Sequence, residues 1–399
     1  MADTKKKKNN PKTSEPTPAP DMHPAGLDTP ATPSPTPTPK VMNAAPVVKK
    51  RRLGWLLWVG VGLVVMAAAG AVGWVMYGQP KSNSNTNTVS NANDNTNTTV
   101  MVARPLDGVM VPSAEANPNV MAVMIENASD SRPPSGLDKA SVVYEALAEG
   151  GITRFMAIFP VGTQVKEIGP VRSARPYYVA WAESYKPMYV HAGGSPQALS
   201  LLKSSSTSVQ DFNQFTHGPY FWRDKTRHAP HNLYTSSDKL YTAQQQLYPS
   251  LKATVQPWTF KDDTALDSLP ETTKDIVIDY SSLNYRVTYK YDRGQNQYVR
   301  YLGNSAHVTR DGTPVTAKNV VVLYMPTSLI SGDPKRLQMG NIGTGKAIVF
   351  RDGIATVGTW KKATAQDREQ FYDANNQIIP LDRGVTWISA VPANLKVTY

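Results

Sequence analysis

The feature that most constrains this chain is an uncharged run of twenty-five residues, LGWLLWVGVGLVVMAAAGAVGWVMY, at positions 53–77. A helix needs about 20 apolar residues to cross the hydrocarbon core of a bilayer, whereas the apolar region of a secretory signal has about 7–15. The basic residues KKRR directly precede the run, and one lysine follows it closely. The run therefore predicts a single-pass transmembrane helix with the N-terminus in the cytoplasm. A cleaved signal peptide and a buried core helix are the alternatives.

The segments on either side of this run have compositions that do not favour a packed core. Residues 1–52 are Pro- and Thr-rich and basic, with ten Lys/Arg against four Asp/Glu, and residues 78–100 are rich in Asn, Thr and Ser. Few apolar side chains are available to offset the entropy lost on ordering. We expect a disordered cytoplasmic tail over 1–52 and a flexible linker over 78–100. Residues 78–399 would then be extracytoplasmic.

Charge and cysteine content exclude several function classes. The net charge is +11, of which the tail supplies +6. Because no basic stripe stands out in the remainder, we expect no nucleic acid as a partner. The incomplete phosphate-binding loop described below predicts no nucleotide either. The chain has no cysteine, which excludes disulfides, thiol catalysis and cysteine metal sites. We predict no metal and no cofactor.

Residues 101–399 carry two kinds of pattern. From 101 to 262, apolar runs such as NVMAVMIEN alternate with helical stretches such as SARPYYVAWAESY and SPQALSLLKSS, the latter with Ser195 as N-cap. From 263 to 399, runs such as NYRVTYKY and KNVVVLYM are separated by turn sequences such as RDG. The patterns predict an α+β fold. An α/β exported domain over 101–262 is followed by a mostly antiparallel β domain over 263–399.

The run VVYEALAEGGITRFMAIFP predicts a β-hairpin with Gly150 and Gly151 as a two-residue turn. Period-two alternation would then place Glu145, Glu149 and Arg154 on one face. The two glutamates are candidate catalytic acids. Their backbones would be about 13 Å apart, too far for a glycosidase pair by themselves, although either could act with a distant acid. A cross-strand ion pair is the alternative.

Two further motifs suit anion binding. IGPVRSARPYY places Arg172 and Arg175 beside the predicted start of a helix, where guanidinium and backbone N–H groups suit a carboxylate, phosphate or sulfate. Pairing of these arginines with Glu145 and Glu149 is the alternative. HAGGSP, which begins with His191, leads from a predicted strand into a helix, so its backbone amides could also bind an anion.

FWRDKTRHAPHNLYT is the densest polar run in the chain, and it contains Asp224, Arg227, His231 and Asn232. His231 and Asp224 are candidate acid/base groups. Pro230 favours an extended loop, so the H-x-x-H spacing does not lie on one helical face and predicts no metal site. The aromatic residues that frame the run are typical of sugar-binding clefts, among other ligand sites.

GNIGTGKA, residues 340–347, matches most of a phosphate-binding loop but has Ala347 where a hydroxyl would contact magnesium. The sequence that follows, AIVFRDGIATVGTW, predicts a β-hairpin and not the helix that such a loop requires. We therefore interpret Gly343 and Gly345 as turn residues that join two strands.

Five long motifs together resemble the YerB-type bacterial lipoprotein family: VVYEALAEGGITRF, IGPVRSARPYY, HAGGSP, RDKTRHAPHNLYT and IGTGKAIVFRDGIATVGTWKK. The resemblance spans roughly residues 104–393. It implies an exported, membrane-attached bacterial protein with two adjoining domains of unknown function, and it supplies no activity. Members of this family are attached to the membrane through a lipidated cysteine. This chain would use its predicted transmembrane helix instead. The positions that the resemblance shares are Glu145, Glu149, Arg154, Arg172, Arg175, His191, Asp224, Arg227, His231 and Asn232.

The sequence as a whole predicts a single-pass, membrane-anchored protein of the cell envelope. We expect it to bind a polar, anionic or glycan ligand, such as cell-wall glycan, through Arg154, Arg172, Arg175, His191, Arg227 and Asn232. One alternative is a cell-wall glycan hydrolase or lyase that uses Glu145 or Glu149 with His231 or Asp224. Another is an envelope scaffold that recruits other proteins. Sequence patterns alone leave the ligand and the presence of catalysis open.

Overall fold

The computed structural model describes residues 99–399, which are mostly β with few helices. The predicted tail, the predicted transmembrane run and almost all of the predicted linker lie outside these residues. Within residues 99–399, no helix combines the length and the apolar character needed to cross a membrane.

Two of the three α-helices in residues 99–399 begin at a capping serine. The three helices are α1 (Pro176–Ala182), α2 (Pro196–Lys203) and α3 (Ser237–Leu247). The hydroxyl of Ser195 accepts a hydrogen bond from the backbone N–H of Ala198 at the start of α2, and Ser236 accepts one from Lys239 at the start of α3. These bonds satisfy N–H groups that have no partner within the helix. The predicted cap at Ser195 is confirmed.

The strands are short, and turns separate most of them. Up to residue 262 they are β1 (Met101–Ala103), β2 (Met110–Pro112), β3 (Val120–Glu126), β4 (Val142–Leu147), β5 (Thr153–Pro160), β6 (Met188–His191), β7 (Gln210–Asn213), β8 (Trp222–Arg223), β9 (Leu233–Tyr234) and β10 (Phe260–Lys261). From residue 263 onward they are β11 (Ile276–Asp279), β12 (Arg286–Asp292), β13 (Gln297–Leu302), β14 (Ser305–Ala306), β15 (Thr316–Ala317), β16 (Asn319–Met325), β17 (Thr327–Leu329), β18 (Leu337–Met339), β19 (Gly343–Arg351), β20 (Ile354–Lys362), β21 (Gln370–Tyr372), β22 (Leu381–Asp382), β23 (Thr386–Pro392) and β24 (Val397–Thr398).

Strands from both predicted segments enter one ten-stranded mixed sheet, with the order β21-β20-β19-β16-β23-β4-β5-β3-β6-β7. The link between the segments is β23, which pairs in parallel with β4 on one side and with β16 on the other. A second, antiparallel sheet has the order β14-β13-β12-β11-β24, with β15 against β13. The C-terminal segment is therefore antiparallel in the small sheet but contributes parallel pairs to the large one.

Both faces of the large sheet are buried, each in its own hydrophobic core. Successive side chains along a strand alternate between these two cores. Val143 of β4 lies in a core that contains Ile276 of the small sheet. Its neighbour Tyr144 lies in the opposite core, where its ring stacks on Trp181 of α1 at 5.3 Å between centroids. The result is three layers, with the small sheet on one face of the large sheet and helices α1 and α2 on the other.

The β4–β5 hairpin forms where predicted, but its register is shifted by one residue. Glu145 lies opposite Phe155, because the loop has three residues and is closed by a 2.7 Å hydrogen bond from the N–H of Ala148 to the carbonyl oxygen of Ile152. A shift of one residue moves a side chain to the other face of a sheet. The prediction that Glu145 and Arg154 share a face is therefore wrong. Glu145 faces the small sheet, and Arg154 faces the helices.

The hairpin predicted after GNIGTGKA is confirmed as β19 and β20. Its two-residue turn, Asp352 and Gly353, has φ values of 53° and 71°, as in the type I′ turns that suit hairpins. Gly343 and Gly345, however, lie within β19 and not in a turn. A Cβ on Gly345 would approach the carbonyl oxygen of Tyr324 to 2.7 Å. The glycine is required there by close packing of neighbouring strands.

Candidate functional site

The candidate site lies at one edge of the large sheet, where three parallel strands end. Strands β3, β6 and β7 run in the same direction, and their last residues are Glu126, His191 and Asn213. The carboxyl ends of parallel strands lie side by side, and ligand clefts commonly form just beyond them. The topology thus brings together side chains that are far apart in sequence.

Glu126 is a buried carboxylate that contacts two predicted site residues. Its Oε1 lies 2.9 Å from Nε of Arg172, and its Oε2 lies 2.9 Å from Nδ1 of His231. Arg172 is positioned by the end of β3, since its backbone N–H donates to the carbonyl oxygen of Met124 at 2.9 Å. Arg172 and His231 therefore meet at a carboxylate that the sequence analysis did not select.

His191 is buried at the end of β6, and both of its ring nitrogens contact oxygen atoms. Nε2 lies 2.6 Å from Oδ1 of Asp211, and Nδ1 lies 2.7 Å from the carbonyl oxygen of Gly193. Asn213 holds the same loop, because its Oδ1 accepts from the N–H of Gly193 at 3.0 Å. His191 thus shapes the glycine loop and does not line the cleft described next.

A cleft of about 460 Å³ opens between the glycine loop 192–194 and the β8–β9 hairpin. Its charged lining residues are Arg172 and Arg223, and no carboxylate is among the residues that line it. The backbone of Gly193 and Gly194 forms one wall. Phe215, which is 74% exposed, also lines the cleft. The cleft therefore offers two guanidinium groups, accessible backbone and an aromatic ring.

Asn232 and Arg227 organise the β8–β9 hairpin beside this cleft. The Nδ2 of Asn232 donates to the carbonyl oxygens of Asp224 at 3.1 Å and of Arg227 at 3.2 Å. Its Oδ1 accepts from Nη1 of Arg223 at 2.8 Å, which orients the guanidinium group. Arg227 donates to the carbonyl oxygen of Pro133 at 2.7 Å and so fixes a neighbouring segment. Both predicted residues act on the shape of the site.

Asp224 is ionised and paired outside the cleft. Its Oδ1 accepts from the backbone N–H and the hydroxyl of Thr226, each at 2.7 Å, and its Oδ2 lies 2.5 Å from Nη1 of Arg310. The hydrogen bonds from Thr226, and then the one from Arg310, lower the pKa of Asp224 to about 2. A carboxyl group with such a pKa is a poor general acid near neutral pH.

Glu149 lies in the three-residue loop of the hairpin and contacts two predicted site residues. Nε of Arg175 donates to it, and Nη2 of Arg154 lies 3.4 Å away. Burial raises the pKa of Glu149, but the hydrogen bond from Arg175 and the two positive charges outweigh it, so this pKa lies below its usual value. Arg154 also donates to the carbonyl oxygen of Ser173, on the cleft wall, at 2.9 Å. The internal network therefore includes Glu149 and not Glu145.

Glu145 lies in the core and is fully buried together with Arg300 of β13. Its Oε2 lies 2.6 Å from Nη2 of Arg300 and accepts from Nε1 of Trp387 at 3.2 Å. Its Oε1 accepts from the hydroxyl of Thr153 at 2.8 Å. This candidate catalytic acid is therefore not part of the cleft.

The predicted residues thus fall into four places: the cleft and its supports, the β8–β9 hairpin, the Glu149 cluster and the core. Sequence reasoning did not select Asn213, Phe215 and Arg223, which line the cleft, or Glu126, which holds Arg172. Glu126 had a usable signal, since it is the one charged residue in the buried run VMAVMIE. Arg223 lies in the polar run FWRDKTRHAPHNLYT. Asn213 and Phe215 had no signal, because their role follows from which loops meet at the sheet edge.

These features define a mostly β protein whose large mixed sheet carries an arginine-lined cleft at one edge. The chain matches the N-terminal domain of the family described as "Protein of unknown function (DUF3048)" over residues 106–250 and its C-terminal domain over residues 276–388. It is 33% identical over 295 residues to "Putative lipoprotein YerB" of Bacillus subtilis (strain 168), an alignment that covers 72% of this chain and 86% of the relative.

The crystal structure of YerB from Bacillus subtilis is similar to this chain with a TM-score of 0.67 at 30% identity, and the match covers 75% of this chain and 100% of that one. The chain belongs to the DUF3048 family, and the resemblance to YerB-type proteins is confirmed. This is a bacterial family whose function is unknown.

Proposed function

We propose that the cleft between residues 192–194 and the β8–β9 hairpin binds an anionic group of a cell-envelope glycan. The main support is that Arg172 and Arg223 both line this cleft, whereas no aspartate or glutamate does. Guanidinium groups bind carboxylates in a bidentate, charge-assisted geometry. The ion pair of Arg172 with Glu126 fixes one of the two guanidinium groups in advance, which lowers the entropy lost on binding.

The remaining walls of the cleft suit a sugar. Phe215 presents an exposed ring that can pack on the apolar face of a pyranose, and aromatic walls with a few polar groups are typical of small-ligand clefts. A Cβ on Gly193 would lie 3.0 Å from this ring, so glycine keeps the wall open. The backbone of Gly194 is then within reach of a ligand.

The hydrolase or lyase alternative has less support, because its proposed acids are already paired. Glu145 is buried against Arg300, and neighbouring groups lower the pKa values of Glu149 and Asp224. General acid catalysis needs a carboxyl group that is still protonated near neutral pH. Binding is therefore the function that the site supports best.

We further propose that the uncharged run at 53–77 anchors the protein in the cell membrane, with the cleft on the extracytoplasmic side. The run is long enough to cross a bilayer, and the basic residues before it favour this orientation. The relative in Bacillus subtilis is named a lipoprotein, which supports attachment to a membrane. Because this chain has no cysteine, a lipidated cysteine cannot serve here.

Cosedimentation with purified, protein-free bacterial cell walls tests the binding proposal, using the full-length chain in nonionic detergent. We expect the wild-type protein to sediment with the walls. Arg223→Gln and Phe215→Ala should each weaken the apparent Kd about tenfold, the loss expected when one well-placed contact is removed. Lys252→Gln, which removes an exposed charge away from the cleft, should bind like the wild type.

Equal binding by all three variants would contradict the assignment of the cleft. Failure of the wild-type protein to sediment would contradict the glycan as ligand. Release of soluble wall fragments during the same incubation, abolished by the cleft variants, would instead support catalysis.

A further inference from the structure

A second concave surface lies at the same edge of the large sheet, where the parallel strands β16 and β23 end. It consists of two adjoining grooves of about 510 and 650 Å³, which share Pro326, Ala393 and Asn394. One wall is the β17–β18 hairpin, and the other is the start of β19, which carries the TGK of GNIGTGKA. We call this surface the TGK groove. It shares no lining residue with the arginine cleft.

Contacts along GNIGTGKA hold the wall of the TGK groove in place. The buried side chain of Asn341 donates to the carbonyl oxygen of Tyr177 in α1 at 2.9 Å. The hydroxyl of Thr344 donates to the carbonyl oxygen of Trp360 at 2.8 Å. Because the wall is tied to a helix and to a neighbouring strand, the groove is preformed. A preformed groove loses little conformational entropy when it binds a ligand.

Two exposed lysines give the TGK groove its charge. The ammonium group of Lys346 lies 4.9 Å from the centroid of the Tyr324 ring, and Lys396 lines the same groove from the segment after β23. Neither lysine forms an ion pair with any of residues 99–399. No acidic residue lines either groove. The positive charge is therefore available to an external anion.

The rest of the lining is neutral. Asn394, Ser328 and Gln338 supply polar groups, and Met339 and Leu395 supply apolar surface. Such a surface suits a chain that carries anionic groups on a less polar backbone. An ammonium group acts as a point charge without a fixed fork geometry, so it does not distinguish a phosphate from a carboxylate by shape.

We propose that the TGK groove binds a chain-like polyanion, with Lys346 and Lys396 contacting its phosphate or carboxylate groups. The two connected grooves accommodate a chain longer than one unit. This site is independent of the ligand proposed for the arginine cleft.

Isothermal titration calorimetry tests the proposal, with the full-length chain in nonionic detergent and two probes: a short linear polyphosphate and an oligogalacturonate. The two probes distinguish a phosphate chain from a carboxylate chain, and we expect at least one to bind. The double variant K346Q/K396Q should weaken that Kd about tenfold or more, because two charge-assisted contacts are lost. Both side chains are exposed, so the variant should keep the wild-type melting temperature.

Two control variants make the result specific. K203Q/K252Q removes two exposed lysines that line neither groove, and R223Q removes a charge from the arginine cleft. K203Q/K252Q should bind the probe within about twofold of the wild type. Because an anionic probe can also enter the arginine cleft, R223Q is expected only to weaken binding less than K346Q/K396Q does. Binding of neither probe by the wild-type protein would overturn the proposal. So would equal weakening in K203Q/K252Q, which would indicate diffuse charge attraction, or equal weakening in R223Q, which would place the probe in the arginine cleft.

Discussion

At the scale of single residues, His307 is the clearest example of a side chain whose pKa is changed by burial. Its Nδ1 accepts a hydrogen bond from Nη1 of Arg300 at 2.6 Å, and a ring nitrogen that accepts carries no proton. Burial first, and then the positive charges of Arg300 and Arg132, hold the pKa of His307 well below its usual range. The folded protein thus keeps this ring neutral at pH values where the unfolded chain protonates it.

His307 should therefore make the protein less stable in mild acid. As the pH falls below about 6.5, the unfolded state binds a proton that the folded state does not, so the free energy of unfolding decreases by up to about 1.4 kcal/mol per pH unit. Urea denaturation of the wild-type protein and of His307→Gln between pH 7.5 and 5 tests this. The variant should show the smaller decrease, since glutamine can still accept from Arg300 but does not titrate. Parallel pH dependences would show that His307 is not responsible.

At the scale of elements, the close approach of β16, β19 and β20 depends on a residue without a side chain. A Cβ on Gly345 would lie 2.6 Å from Nε1 of Trp360 and 2.7 Å from the carbonyl oxygen of Tyr324. Those two atoms form a hydrogen bond of 3.0 Å with each other. Any side chain at this position has to separate the strands or break that bond.

Gly345→Ala should therefore destabilise the fold by about 1–3 kcal/mol, the usual loss when a well-packed interior is overfilled. Gly218→Ala is the matched control, because neither glycine has a positive φ and a Cβ on Gly218 would have no atom within 4 Å. The control should change stability by less than about 0.5 kcal/mol. Urea denaturation monitored by tryptophan fluorescence provides the comparison, and a similar loss in both variants would contradict the packing argument.

At the scale of residues 99–399 as a whole, the two family domains share a sheet and a buried ion pair. Strand β23 of the C-terminal domain pairs with β4 of the N-terminal domain. Arg300 and Glu145, one from each domain, are both fully buried in the core between the sheets. Since backbone pairing and a buried charge pair both cross between the domains, we expect the domains to unfold together.

Arg300→Met should accordingly cost about 3–5 kcal/mol, because it leaves Glu145 as a buried charge without its partner. The double variant E145Q/R300M should lose less than the sum of the two single losses, since it removes both charges. Arg286→Gln is the control, as it breaks an exposed ion pair with Asp279 and should cost less than about 1 kcal/mol. Two separate unfolding transitions in the wild-type protein would contradict the coupling of the domains.

Several elements were predictable from local patterns. The caps at Ser195 and Ser236 fix where α2 and α3 begin, and an Asp-Gly pair between β-rich runs defines the β19–β20 turn. The apolar run around 119–127 became the buried strand β3. Each of these elements depends on residues within a few positions of one another, so it can be predicted from a short stretch of sequence. Arg172 and His231 were each selected as candidate site residues, and both contact Glu126, which was not selected.

The sequence by itself thus determined the element types, most turns and the residue kinds available to a site, because these follow from short-range hydrogen bonds and side-chain periodicity. Only the tertiary structure decided which of those residues meet. One added loop residue placed Glu145 and Arg154 on opposite faces of the sheet. The residue that pairs with Glu145, Arg300, lies 155 positions further along the chain. The arginine cleft and the TGK groove both exist because parallel strands from distant segments end at one edge. Such pairings depend on the order of strands in the sheet, which no local pattern encodes.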